Sequence, residues 1–278
     1  MSNEIAIGTV LPNQIPPAPV DMVMSPYYDH ILSLNWVVLG LVALWILRDA
    51  RATRSLLPIL ILVGAAISCL QECIFDVMVL VWWPQYGPEP LYRFLNVSVP
   101  VWMLAAYPWY IGGQGYWMYK KLQQGMTAAQ LWKLYCFAWV ANLFLEIPPL
   151  QIGNIYTYYG DQPLQVLGFP LWMAMTNSLM PILMAAMLWS LRDVLTGVRV
   201  LFVVPLVPMA VGAAQIVAGW PIWLALNSGL GYAATYPAAF LTLGLSLSIV
   251  YLVSLKFCRK AEPVVATRAA GLQGAVAR

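Results

Sequence analysis

The sequence predicts an all-α integral membrane bundle of about seven transmembrane helices, with its N-terminus outside and its C-terminus in the cytoplasm. Three observations lead there: a composition too apolar for a water-soluble fold, seven apolar runs of membrane-crossing length, and cations gathered on one set of loops. Hydrophobic residues fill 62% of the 278 positions and charged residues 9%, against roughly 45–50% and about 25% in an ordinary soluble domain. A helix needs about 20 residues to cross the hydrocarbon, so a chain of this length holds about six to eight spans and little else.

Residues 1–26 are polar and Pro-rich, without the basic and apolar regions of a signal peptide, so the first helix itself is expected to direct insertion. The apolar runs place spans at 27–47, 55–83, 96–119, 128–147, 168–191, 200–226 and 232–255, within one transmembrane domain covering 27–260. Residues 261–278, Ala- and Val-rich with scattered charge, read as a disordered cytoplasmic tail. An odd number of spans puts the two ends on opposite sides. Arg48, Arg51 and Arg54 follow the first span, and Lys120, Lys121 and Lys133 attend the connection from the third to the fourth. Arg192 and Arg199 join the fifth to the sixth, and Lys256, Arg259, Lys260, Arg268 and Arg278 follow the seventh. Arg93 alone lies on the other side, so the positive-inside bias makes the crowded side cytoplasmic. The localisation that follows is integral and multi-pass.

Composition also excludes function classes. The net charge of +3 is a topological signal rather than a patch for nucleic acid, and no nucleic-acid partner is expected. Of the four cysteines, Cys69 and Cys73 lie one helical turn apart, where a bridge is disfavoured, and neither they nor Cys136 and Cys258 show metal-ligand spacing with histidines. Free thiols are expected. With one histidine and no DDxxD-like run, neither zinc, haem nor magnesium diphosphate has a ligand set, and no glycine-rich loop reads as a nucleotide site. No cofactor and no metal are expected. A retinal Schiff base would need a lysine inside the last span, which has none before Lys256 at its cytoplasmic end.

Carboxylates inside spans each cost about 2.5–3.5 kcal/mol at mid-bilayer and mark functional sites by default. Glu72 and Asp76 on the second span and Glu146 at the outer end of the fourth are the three candidates for catalysis. Glu72 and Asp76 are four residues apart, hence on one helical face, and like charges so placed favour sharing a proton. Counted from the cytoplasmic end of the second span, both lie at about the depth of Asn142 and Glu146 on the fourth. The alternative is that these acids hydrogen-bond Gln71, Asn142, Asn177 or Gln215 and serve as interhelical glue.

Two outer loops are rich in aromatic and turn residues: 82–92 (WWPQYGPEPLY) and 148–169 (PPLQIGNIYTYYGDQPLQVLGF). Tyr and Trp near span ends belong to the interfacial belt, yet Tyr156, Tyr158, Tyr159 and Asp161 in one long loop point to a further role. Trp82, Asn142, Tyr156, Tyr158, Asp161 and Asn177 are the candidate substrate-binding residues. His30, beside Asp29, reads as an interface residue able to titrate. Aromatic walls would suit a carbocation through their negative π faces.

The stretch from Glu72 to Trp83, then YPWYIGGQGYW, FLEIPPLQIGNIYTYYGDQPL and a span opening with GFPLW resembles the AveC-like spirocyclase family of bacterial membrane proteins. Its motif E-x-P-x-x-x-x-G-x-Y-x-Y corresponds to Glu146, Pro148, Gly153, Tyr156 and Tyr158, with one extra residue between Gly153 and Tyr156. The first acidic motif reads QECIFD here, and the likeness covers roughly residues 60 to 190. The resemblance implies cofactor-free cyclisation or dehydration of a lipophilic biosynthetic intermediate, as in spiroketal formation on a polyketide, within the membrane, which in a bacterium is the cell membrane. A wider similarity of architecture links it to small membrane-bound cyclases of fungal meroterpenoid pathways, whose acids protonate an alkene or epoxide. The expected partners are thus a lipophilic small-molecule substrate and the bilayer, with the pocket among the outer halves of the second to fifth spans. Two rivals remain: a transporter or binding protein using the same acids for proton or cation coupling, and a structural subunit of a membrane complex.

Overall fold

The computed structural model describes residues 17–85, 90–95 and 97–259. The predicted tail at 261–278 and much of the N-terminal segment lie outside them, as does 86–89 in the first aromatic loop. The described residues are 72% helical, and among them five helices are long and apolar enough to cross a membrane.

The first is α1 (Tyr28–Thr53), which runs past the predicted end at residue 47 and stops where Arg54 takes a left-handed conformation. The second, Leu57–Val79, is broken where the hydropathy pattern predicts a continuous rod. α2 (Leu57–Ser68), started by Pro58 in its first turn, gives way to a tight turn at Cys69–Gln71 before α3 (Glu72–Val79). The cause is a side chain driven into the helical ladder: the Tyr92 hydroxyl donates to the Cys69 carbonyl at 3.0 Å and accepts from the Cys73 N–H at 3.4 Å. Those two groups would otherwise bond each other.

Beyond Leu80, itself left-handed, the chain becomes extended as β1 (Val81–Trp82). A hairpin of β2 (Tyr92–Phe94) and β3 (Val97–Val99) replaces the start predicted for the third span. Helix resumes as α4 (Met103–Tyr107), widens into a π turn at Pro108–Gly113, and continues as α5 (Gln114–Gln123). A capping box, with Thr127 and Gln130 exchanging side-chain bonds, starts α6 (Ala128–Pro148). A second π turn, Pro149–Gly153, extends it. The long loop contributes β4 (Thr157–Tyr158) and a small hairpin of β5 (Gln165–Val166) and β6 (Phe169–Pro170), so α7 (Leu171–Ser190) begins three residues later than predicted. A tight turn at Gly197–Phe202 leads into α8 (Val203–Leu226), and α9 (Tyr232–Phe257) follows.

α7 is the central rod. Its apolar window is 83% buried, against 6% for α1, and it packs on α5, α6, α8 and α9. α8 in turn packs on α2, where Gly64 lets the two backbones approach: a Cβ there would lie 2.7 Å from the Val204 carbonyl oxygen. α1 sits outside, against α2 and the first π turn. The four cysteines are free, as expected, with Cys69 and Cys73 buried.

Candidate active site

The two aromatic loops are stitched together at the end of the acid-bearing helix. β1 pairs antiparallel with β4, Val81 opposite Tyr158 and Trp82 opposite Thr157. The last carbonyls of α3, which no helical N–H can reach, are taken by the loops: Tyr159 N–H bonds Leu80 at 2.9 Å, Gln162 bonds Val79 at 2.6 Å, and Asn227 bonds Met78 at 2.9 Å. This lacing brings the tyrosine loop after α6 over the carboxylates of α3.

Glu72, Asp76 and Glu146 consequently line one cavity of about 770 Å³, within the roughly 300–1,000 Å³ usual for small-molecule sites. Each acid accepts from its own aromatic donor on the cavity wall: Glu72 from the Tyr107 hydroxyl, Glu146 from the Tyr156 hydroxyl, and Asp76 from the Trp83 indole N–H at 2.9 Å. Asp76 is buried, while the surface left to Glu72 and Glu146 faces the cavity. Trp83 stands at the centre of the aromatic wall, 4.6 Å from the Tyr156 ring and 5.6 Å from Trp102 between centroids. Burial first, and then the Glu146 carboxylate, push the phenols of Tyr156 and Tyr158 well above the ordinary tyrosine range, so both act as neutral groups.

A second polar line crosses the cavity through the helices. Gln215 on α8 donates to Asn177 on α7 at 2.9 Å, Asn177 to Asn142 on α6 at 3.5 Å, and Asn142 to the Tyr110 hydroxyl at 3.0 Å. All four residues line the cavity. Both π turns contribute as well, through Trp109, Tyr110 and Ile111 in the first and Pro149, Ile152 and Gly153 in the second. Such widened turns recur at functional sites because the extra residue re-aims side chains out of helical register.

The cavity opens sideways. Leu34 on α1, Phe144 on α6 and Ile152 in the second π turn line it while remaining 62%, 74% and 74% exposed. α1 and α6 hardly touch, and α1 is held instead by Asn35, which accepts from the Trp109 indole at 2.9 Å.

Of the predicted binding residues, Asn142, Tyr156, Tyr158 and Asn177 line the cavity with the three acids, whereas Trp82 and Asp161 do not. The alternation of a strand explains Trp82: its neighbours Val81 and Trp83 face inward, so its own ring points away. Asp161 lies beyond the Gly160 turn, near Gly231 before α9. Trp83, Tyr107, Tyr110 and the wall given by α1 were not singled out from sequence. A cue existed for Tyr107, which falls near the middle of the third apolar run, at the depth of Glu72 in the second.

Comparison with known proteins gives no match to any family model, curated protein or solved structure.

Proposed function

We propose that this chain is a membrane-embedded, cofactor-free cyclase of the isomerase or lyase type. It closes a ring in, or dehydrates, a lipophilic terpenoid or polyketide intermediate taken from the bilayer. The observation that carries the reading is the set of three carboxyls, each bonded by its own aromatic donor, around one aromatic cavity that opens between α1 and α6. The resemblance to the AveC-like spirocyclases, centred on Glu146, Pro148, Gly153, Tyr156 and Tyr158, supports the same chemistry.

In this mechanism Glu72, with Asp76 beside it on one helical face, gives a proton to an alkene, epoxide or hydroxyl of the substrate. The cation that forms closes its ring against the faces of Trp83, Trp102 and Tyr156. Glu146 accepts the proton lost at the end, so cyclisation is proton-neutral; in a dehydration, water leaves with the proton first given. Apolar walls keep bulk water from capturing the cation before the ring closes. Asn142 and Asn177 hold the substrate, with Tyr158 on the wall. In the proposed topology seven spans cross the membrane, the N-terminus is outside and the C-terminus is cytoplasmic. The two segments beyond the five long apolar helices are α4 to α5, interrupted by its π turn, and α6, which carries Lys133 and Glu146.

The test is product analysis by mass spectrometry after co-expression with candidate precursor pathways, comparing wild type with Glu72→Gln, Asp76→Asn and Glu146→Gln. These amides keep size and hydrogen bonding and remove acid–base capacity. At least one, Glu72→Gln first, should lose about 10²–10⁴-fold in turnover with thermal stability in detergent preserved. Near wild-type turnover by all three would eliminate the acid–base mechanism. A proton- or cation-coupled transporter is the second reading, favoured by the broken helix at Cys69–Gln71, a feature of carrier folds. Proton-coupled uptake into proteoliposomes with no new product would select it.

A further inference from the structure

The amide line that ends at Gln215 has a direction. Gln215 Nε2 donates to Asn177, which donates to Asn142, which donates to the Tyr110 hydroxyl. The Gln215 orientation is supported twice, because the same Nε2 also lies 3.6 Å from the thioether sulfur of Met180. Head-to-tail order leaves an unused acceptor at one end of the line. Gln215 Oε1 is that atom: the residue is 1% exposed, lines the cavity, and its carbonyl oxygen is buried with no hydrogen-bond partner among the described residues. A buried acceptor without a donor costs about 1–3 kcal/mol, which a donor entering from the cavity would relieve. Interhelical glue alone would not require it, since the Nε2 bonds already join α8 to α7.

We infer that Gln215 Oε1 receives an O–H donor of the ligand, making the substrate a lipophilic alcohol bound hydroxyl-first, with its apolar body extending toward the mouth between α1 and α6. This rests on the reading of the cavity as a substrate site and adds to it the polarity and direction of the substrate. Asn177 and Asn142, besides lining the cavity for the substrate, also fix the amide of Gln215.

The test uses the purified full chain in lipid nanodiscs and two probes that differ by one O-linked methyl group, all-trans-farnesol and its methyl ether, competed against tritiated farnesol; the Gln215 variants below separate loss of the donor from the bulk of the added methyl. Wild type should prefer the alcohol by about tenfold, the worth of one buried hydrogen bond. Gln215→Met, which fills the same space without an acceptor, should bring the ratio to about one and leave the affinity for the ether unchanged. Gln215→Asn keeps an amide but withdraws it by one methylene, and should reduce the preference even where the methionine variant folds poorly. Gly40→Ala, away from the cavity wall, should retain the preference. Equal binding of alcohol and ether by wild type, or a preference that survives both Gln215 variants, overturns the assignment while leaving the cavity a ligand site. Absence of saturable binding by either probe removes the cavity reading and this inference with it.

Discussion

Tyr92→Phe removes one oxygen atom and tests whether the break in the acid-bearing helix aims Glu72. The hydroxyl makes two bonds, at 3.0 Å to the Cys69 carbonyl and 3.4 Å from the Cys73 N–H. Without it those groups can bond each other and rebuild a regular helix. One net hydrogen bond is then lost, about 0.5–1.5 kcal/mol, rather than the cost of two orphaned groups. The geometric change is larger than the energetic one. Cys69–Gln71 now turns at the tighter pitch; three residues moving from 3.0 to 3.6 per turn unwind the helix by about 60° and shorten it by about 1.5 Å. Glu72 and Asp76 would swing off the cavity axis together, and misplacement of about 1 Å can cost about 10²-fold in rate. Thermal unfolding in detergent and product formation by mass spectrometry separate the two effects: a Tm lower by a few degrees, with turnover reduced at least about tenfold. Unaltered turnover at unaltered Tm would show that the break does not set the carboxylates. A collapse of folding would show that the rebuilt helix is not accessible.

Other outcomes follow from the same geometry. Gly64→Ala places a Cβ 2.7 Å from the Val204 carbonyl oxygen and 2.8 Å from Val207 Cβ, where backbone cannot yield; it should destabilise by about 1–3 kcal/mol in detergent unfolding. Gly40→Ala, inside α1 with nothing within 4 Å, should instead stabilise by up to about 1 kcal/mol in the same measurement. A reporter fused after Lys260 should be cytoplasmic and one inserted between Ile155 and Asp161 external; detection of both on one side would sink the seven-span topology. Chelator treatment should leave activity intact, and loss restored by a divalent ion would reveal a ligand set the sequence does not suggest.

What the sequence makes legible is what a linear pattern encodes. Apolar runs and the cations that flank them are read one residue at a time, so five long helices and the approximate limits of α6 and α9 emerge without any knowledge of packing. The acids were legible because a carboxylate in an apolar run is costly wherever it points. Their convergence was not, since it depends on β1 meeting β4 across 75 residues of chain. That Trp83 rather than Trp82 lines the cavity was hidden for a related reason: a two-residue strand leaves no period in an apolar stretch, and parity decides which ring turns inward. Tyr92 reads as one more interfacial aromatic until its hydroxyl is found inside the helix break. α1 escaped notice as a cavity wall because its apolar face looks the same whether it meets lipid or a bound molecule. Gln215 reads as glue, and half of it is; its carbonyl oxygen has no partner that a sequence could reveal.

The pairing of each carboxyl with a donor that follows it in the chain bears on how the protein is made. Asp76 finds Trp83 seven residues on, Glu146 finds Tyr156 ten residues on, and Glu72 finds Tyr107 thirty-five residues on. Synthesis proceeds from the N-terminus, so each acid enters the insertion machinery ahead of the group that satisfies it. Two of the three waits are shorter than a single transmembrane helix. Glu72 is the exception: it stays unaccompanied until the next apolar run has been threaded, which couples its acceptance by the bilayer to the arrival of Tyr107. A truncation ending before Tyr107 should therefore be cleared by quality control far faster than one ending just after it.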